Sequence, residues 1–167
     1  MIKVVVMGVS GCGKSFIGSA LAAELGLPFV EGDALHPLAN VTRMAAGIPL
    51  TDADRWPWLD RIGAEIAAST TGMVVSCSAL RKAYRDRLRQ EADGPLAFVF
   101  LDGAYATLKA RVSSRPLHFM PASLLDSQLA TLEPPVGEPL VLTQAIEQSA
   151  DDIVRHSAEW LRGFRSE

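Results

Sequence analysis

Eight consecutive residues, Gly8-Val9-Ser10-Gly11-Cys12-Gly13-Lys14-Ser15, have the types and spacing G-x-x-x-x-G-K-[ST]. That pattern cradles polyphosphates. Its glycines let the backbone turn tightly and approach the anion closely. Successive N–H groups and the positive end of a following helix then face the phosphates. In such a loop Lys14 reaches the β- and γ-phosphates as a mobile point charge, and the Ser15 hydroxyl can ligate Mg²⁺. The chemistry expected here is transfer of a phosphoryl group from ATP.

A phosphoryl acceptor needs a group that orients its O–H and takes the proton as transfer proceeds. Asp33, in Glu31-Gly32-Asp33, is the candidate: it sits just after a short apolar run and hence at a strand end beside the loop. Holding Mg²⁺ through water is the alternative role for Asp33, and for Glu31. Cations must neutralise the charge that develops on the transferring group and on an anionic substrate. Arg43, Arg55, Arg81 and Arg85 lie on segments that follow strands or border Asp33. Arg111 and Arg115 have i, i+4 spacing and share a helix face if the helix reaches that far. His36 and His118 are candidate polar substrate contacts. Arg87, Arg89, Arg155, Arg162 and Arg165 read as solvated helix faces.

These residues need a scaffold that gathers strand ends. Ile2 to Met7 is a β-branched apolar run, and after Ser15 the residues Ile17, Leu21 and Leu25 mark a helix closed by Gly26 and Pro28. Further strands are expected at 28–30, 73–77, 97–101 and 140–142. Helices are expected from His36-Pro37 to Gly47, from a Thr51 cap with Leu59, Ile62 and Ile66 inward, from about Ser78 to Arg89, through Leu108 and Arg111, around Leu124 to Leu129, and from a Ser149 cap to Phe164. Strands alternating with helices five times predict an α/β fold with a five-stranded parallel sheet flanked by helices on both faces. The broken pattern from Ser113 to Pro121 reads as a flap rather than a domain boundary.

A chain of 167 residues is one domain, and 49% hydrophobic residues supply one core. A net charge of −3 argues against a broad nucleic-acid surface. Two cysteines suggest neither a disulfide framework nor a zinc site. No signal-peptide pattern or bilayer-length apolar run is present, so a cytoplasmic protein with no membrane partner is expected. A guanine-nucleotide switch normally carries Asn-Lys-x-Asp. Asn40 is the only asparagine and Val41 follows it, so that signature is absent.

Several blocks together resemble the gluconokinase family. They are Gly8 to Ser15, Glu31-Gly32-Asp33-Ala34-Leu35-His36-Pro37, Met44 to Leu50, Asp52 to Leu59, Cys77 to Asp86, His118-Phe119-Met120-Pro121 and Leu124-Leu125-Asp126-Ser127-Gln128. The resemblance implies the P-loop NTPase fold shared with shikimate kinase, in one domain over 1–167 with a helical lid at about 111–135. It implies transfer of the γ-phosphoryl of ATP to the 6-hydroxyl of D-gluconate, with Mg²⁺, in a cytoplasmic homodimer. By this resemblance residues 8–15, Arg111 and Arg115 bind ATP, Asp33 sits beside the acceptor hydroxyl, and the Arg81 region faces the sugar acid. Pro116-Leu117 before His118 departs from the family's usual Lys-Gly. A sister kinase acting on shikimate, or a nucleotide-binding switch, are the alternatives.

Overall fold

The computed structural model describes residues 1–114 and 123–164. Five strands, β1 (Lys3–Met7), β2 (Phe29–Glu31), β3 (Met73–Ser76), β4 (Ala97–Asp102) and β5 (Val141–Ala145), form one sheet in the order β2-β3-β1-β4-β5. Every pairing is parallel. Val4, Val5, Val6, Val74, Val75, Phe98 and Val99 are buried without alternation. Continuous burial is what a parallel sheet covered on both faces requires.

The strand order decides where the helices lie. Right-handed crossovers put connections that run in opposite directions along a sheet on opposite faces. The step from β1 to β2 runs one way; the steps from β2 to β3, β3 to β4 and β4 to β5 run the other. Helix α1 (Lys14–Leu25) therefore covers one face, where α7 (Ala150–Gly163) packs against it. The second face takes α2 (Leu38–Ala45), α3 (Asp52–Ala68), α4 (Lys82–Glu91), α5 (Tyr105–Ser113) and α6 (Ser123–Thr131). At β1 the chain leaves toward the first face while both neighbouring strands send it to the second. A crevice opens at such a switch point, outside the carboxyl ends of the strands. The 8–15 loop sits there.

The expected helix starts are met with two shifts. Helix α4, expected from about Ser78, begins at Lys82 after an extended Arg81. Thr51 caps α3 through a reciprocal capping box with Asp54, and Ser149 caps α7 by accepting from Asp152 N–H. Pro37, expected inside its helix, is instead the N-cap of α2, because a 3-10 turn over Gly32–Leu35 uses the preceding residues. No helix among the described residues is long and apolar enough to cross a membrane.

Candidate active site

The phosphate loop is held from three sides. Gly8 N–H donates to Ser78 O at 3.3 Å, and Ser10 N–H donates to Gln128 Oε1 at 2.7 Å. Gly13 at φ +92° turns the chain into α1. Val9 and Cys12 point inward and are buried. Burial pushes the Cys12 thiol up, despite the nearby Lys14. Lys14 Nζ donates back to Val9 O at 3.2 Å, which keeps the ammonium over the loop. Ser15 is exposed at the start of α1.

Asp33 is placed by a close approach of two backbones. A β-carbon on Gly32 would lie 1.9 Å from Ser76 O, so only glycine lets this turn pack on β3. Ser76 Oγ accepts from Gly32 N–H and donates to Glu31 Oε1. Trp58 Nε1 donates to Gly32 O at 2.8 Å from the other side. The turn then presents Asp33 to a cleft lined also by Lys14, His36, Arg55, Trp58, Ser78 and Gln128. The loop lysine and the candidate acceptor-side carboxylate thus share one wall-to-wall site.

Among the described residues, Arg55 is the arginine that lines this cleft. Its side chain is 11% exposed. Nη1 donates to Tyr84 Oη at 3.0 Å, and the guanidinium lies over the Tyr84 ring. Tyr84 in turn donates to Asp52, which also pairs with Arg81 at 3.3 Å. Burial pushes the Tyr84 hydroxyl up, and its hydrogen bond to Asp52 adds to the effect.

His36 is buried and stacked on Trp58, with ring centroids 3.9 Å apart. Burial, with the Arg55 charge adding to it, pushes its pKa down from 6.5 to about 4. The imidazole is therefore neutral in the folded protein at pH 7. In the window from 6.5 down to about 4 the unfolded chain binds a proton that the folded one refuses. Unfolding free energy should accordingly fall as pH drops through that window, by roughly 3 kcal/mol in all, and level off below it. Urea unfolding at pH 7 and pH 5, compared with His36→Gln, checks this. Equal pH slopes in the two proteins would rule it out.

The other sequence candidates separate. Arg111 lies beyond the loop from Asp33, in a groove with Cys12, Gly13, Phe16, Ile146 and Gln148, and donates to Ile146 O at 3.2 Å. Arg43 and Arg81 are half exposed, pair with Asp54 and Asp52, and do not line the cleft. Arg85 corrects the expectation of a substrate contact. It is fully buried and donates to Glu138, Ala79 O and Glu133 O. Arg89, read as solvated, joins the same buried Glu138. Arg115 and His118 lie outside the described residues. Helix α6, assigned with the lid, has Leu124 and Leu125 buried, and the segment after it is tied to the loop following β3 by Glu133 N–H on Leu80 O.

Residue reasoning missed Gln128, Asn40, Trp58 and Tyr84 as parts of the site. A glutamine on an amphipathic helix carries no spacing signal, although Gln128 stands in one of the blocks that resemble the family. Asn40, Trp58 and Tyr84 enter the site through tertiary contacts that no local spacing announces.

Comparison with known proteins agrees with this fold. A family model described as AAA domain (AAA_33) matches residues 4–135. Gluconokinase of Gluconobacter oxydans (strain 621H) is 47% identical, covering 98% of this chain and 91% of its own. Thermosensitive gluconokinase of Escherichia coli (strain K12) is 46% identical over 90% of this chain and 76% of its own. The crystal structure of a gluconokinase from Sinorhizobium meliloti 1021 superposes with a TM-score of 0.89 at 53% identity, covering 98% of this chain and 93% of that one. Identity at this level, over nearly whole chains, joins the sheet, loop and cleft to one group of kinases: the chain belongs to the gluconokinase family.

Proposed function

We propose that the protein transfers the γ-phosphoryl group of ATP to the 6-hydroxyl of D-gluconate, giving 6-phospho-D-gluconate and ADP. One observation carries the reading. Lys14 of the phosphate loop, Asp33 and Arg55 line a single cleft, so a cation for phosphate, a base for a hydroxyl and a cation for a carboxylate face the same space.

The triphosphate lies along residues 8–15, with the base in the groove beside Arg111. Lys14 swings from Val9 O to the β- and γ-phosphates. Asp33 orients the sugar hydroxyl toward the γ-phosphorus and takes its proton. Gln128 holds the Ser10 amide, which keeps the front of the loop in register with α6. Mg²⁺ needs few protein oxygens, since it keeps waters and binds substrate phosphates. The exposed Ser15 hydroxyl offers one, and no cluster of three or more His, Cys, Asp or Glu that could cage a metal occurs among the described residues. When bound there, the ion neutralises charge on the β- and γ-phosphate oxygens. The closing segment that excludes water, with Arg115 and His118, belongs to the proposal through the family pattern, as do the homodimer and the cytoplasmic location.

Arg55 receives the gluconate carboxylate in this arrangement. Among the described residues its hydrogen bond and its 3.7 Å ion pair with Asp52 both use Nη1, and Tyr84 steers the guanidinium. A charge-assisted hydrogen bond contributes about 1.5–3 kcal/mol, so Arg55→Ala should raise the gluconate KM by roughly 10- to 100-fold with little change for ATP. Arg55→Lys should recover part of the loss. An unchanged gluconate KM would move the carboxylate elsewhere. The reaction itself is tested by coupling ADP release to NADH oxidation with ATP, Mg²⁺ and a panel of sugar acids. Gluconate should be turned over. Good turnover of shikimate with none of gluconate would reassign the enzyme to a sister kinase.

A further inference from the structure

We infer that Asn40 and Trp58 hold His36 in one tautomer, with its single ring proton on Nε2 and directed at Asp33, so that these three are positioning residues for the acceptor-side carboxylate. The inference rests on the reading of Asp33 as the group that meets the acceptor hydroxyl.

The tautomer follows from donors and acceptors. Asn40 Nδ2 lies 2.9 Å from Asp54 O. A backbone carbonyl can only accept, so the atom facing it must be the amide nitrogen and the amide cannot be flipped. The same Nδ2 lies 3.2 Å from His36 Nδ1. An amide NH₂ donates and never accepts, so Nδ1 carries the lone pair and the ring proton sits on Nε2. Nε2 faces Asp33 Oδ1 at 3.9 Å. That is longer than a hydrogen bond, but such contacts tighten when substrate fills a site.

Trp58 fixes the plane of the ring. It stacks on His36 at an interplanar angle of 16° while its indole N–H holds Gly32 O, next to Asp33 in the chain. One side chain thus clamps both the imidazole and the turn that carries the carboxylate. Around the ring stand Asp33 from the turn, Asn40 from α2, Arg55 from α3 and, across the cleft, Lys14 from α1. Burial opposes a second proton on the ring, and the Arg55 charge adds to that opposition.

The consequence is a division of labour. A neutral imidazole with its proton on Nε2 has no lone pair toward the cleft and does not compete for the sugar's proton. That proton goes to Asp33, and the ring keeps its own throughout. Asn40 touches no substrate in this scheme and acts through His36 alone.

The test reads the tautomer directly. In protein labelled with ¹⁵N-histidine, the His36 signals, assigned by their loss in His36→Gln, should show a protonated Nε2 and an unprotonated Nδ1 at pH 7. Asn40→Asp replaces the donor with an acceptor, which should move the ring proton to Nδ1. Its kcat should fall roughly 10-fold or more with an unchanged KM for ATP, and its kcat–pH profile should gain an ionisation. If that variant does not fold, Asn40→Ser should give a mixture of tautomers and a smaller fall in kcat. A wild-type ring protonated on Nδ1 would overturn the inference. So would a variant with the tautomer moved and kcat unchanged. Failure of the underlying reading looks different: Asp33→Asn would keep a near-normal kcat while wild-type His36 still showed the Nε2–H signature, and the ring would then have no carboxylate to position.

Discussion

Asp33→Asn should lower kcat by roughly 10²-fold or more while leaving ATP affinity within a few-fold of wild type. The substitution is nearly isosteric. Gly32 still packs on Ser76 and still accepts from Trp58, so the turn stays in place. What is lost is a group able to take a proton from the acceptor hydroxyl. A 10²-fold fall corresponds to about 2.7 kcal/mol of barrier, within the range for one positioned general base. In the proposed arrangement ATP meets the 8–15 loop and Arg111, on the other side of Lys14, and should bind as before. Steady-state kinetics with gluconate, together with nucleotide titration by calorimetry, separate the two effects. A rate near that of wild type would leave Asp33 as a bystander. A matching loss of ATP affinity would assign it to the metal and phosphates instead.

The sheet and the loop were legible because their signals are local. Val4 to Met7, Val74-Val75 and Phe98 to Leu101 are apolar runs of strand length, and Gly8 to Ser15 is contiguous. Thr51 and Ser149 announced their helices by capping chemistry that acts within three residues. Asp33 was legible because a carboxylate at a strand end is placed by chain position alone.

What the sequence hid are pairings at long separation. Gln128 meets Ser10 across 118 positions, and Arg85 meets Glu138 across 53. No periodicity encodes such contacts. Arginines show the difficulty best. Arg55, Arg81 and Arg85 have the same chemistry and lie on segments that follow strands or border Asp33, yet one lines the cleft, one lies half exposed on Asp52 and one is buried. Burial and partner choose among them, and both are tertiary. His36 was singled out as a candidate substrate contact, but its protonation state and tautomer depend on Asn40, Trp58 and Arg55 together.

Arg85→Ala should cost about 3–5 kcal/mol, the usual penalty for stripping one partner from a buried ion pair. Arg85 Nε and Nη2 donate to the two Glu138 oxygens at 2.9 and 2.6 Å, and the Glu138 side chain is 5% exposed. Those hydrogen bonds from Arg85 hold the Glu138 carboxyl below its usual range, with Arg89 assisting. Removing Arg85 leaves that carboxylate buried with Arg89 as its remaining cation. It also orphans two carbonyls, Ala79 O and Glu133 O, each 2.7 Å from a guanidinium nitrogen. Ala79 sits at φ +46°, a conformation that an alanine keeps only when its surroundings enforce it. This residue lies between Ser78 and Leu80, both of which line the cleft, and Ser78 O receives the first amide of the phosphate loop. The damage should therefore reach activity through the shape of the site, with gluconate and ATP affinities both weakened. For a domain of this size a loss of 3–5 kcal/mol is expected to lower Tm by roughly 10 °C or more. Differential scanning calorimetry checks the stability and steady-state kinetics the coupling. An Arg85→Ala protein with wild-type Tm but a selectively raised gluconate KM would return this arginine to the substrate site.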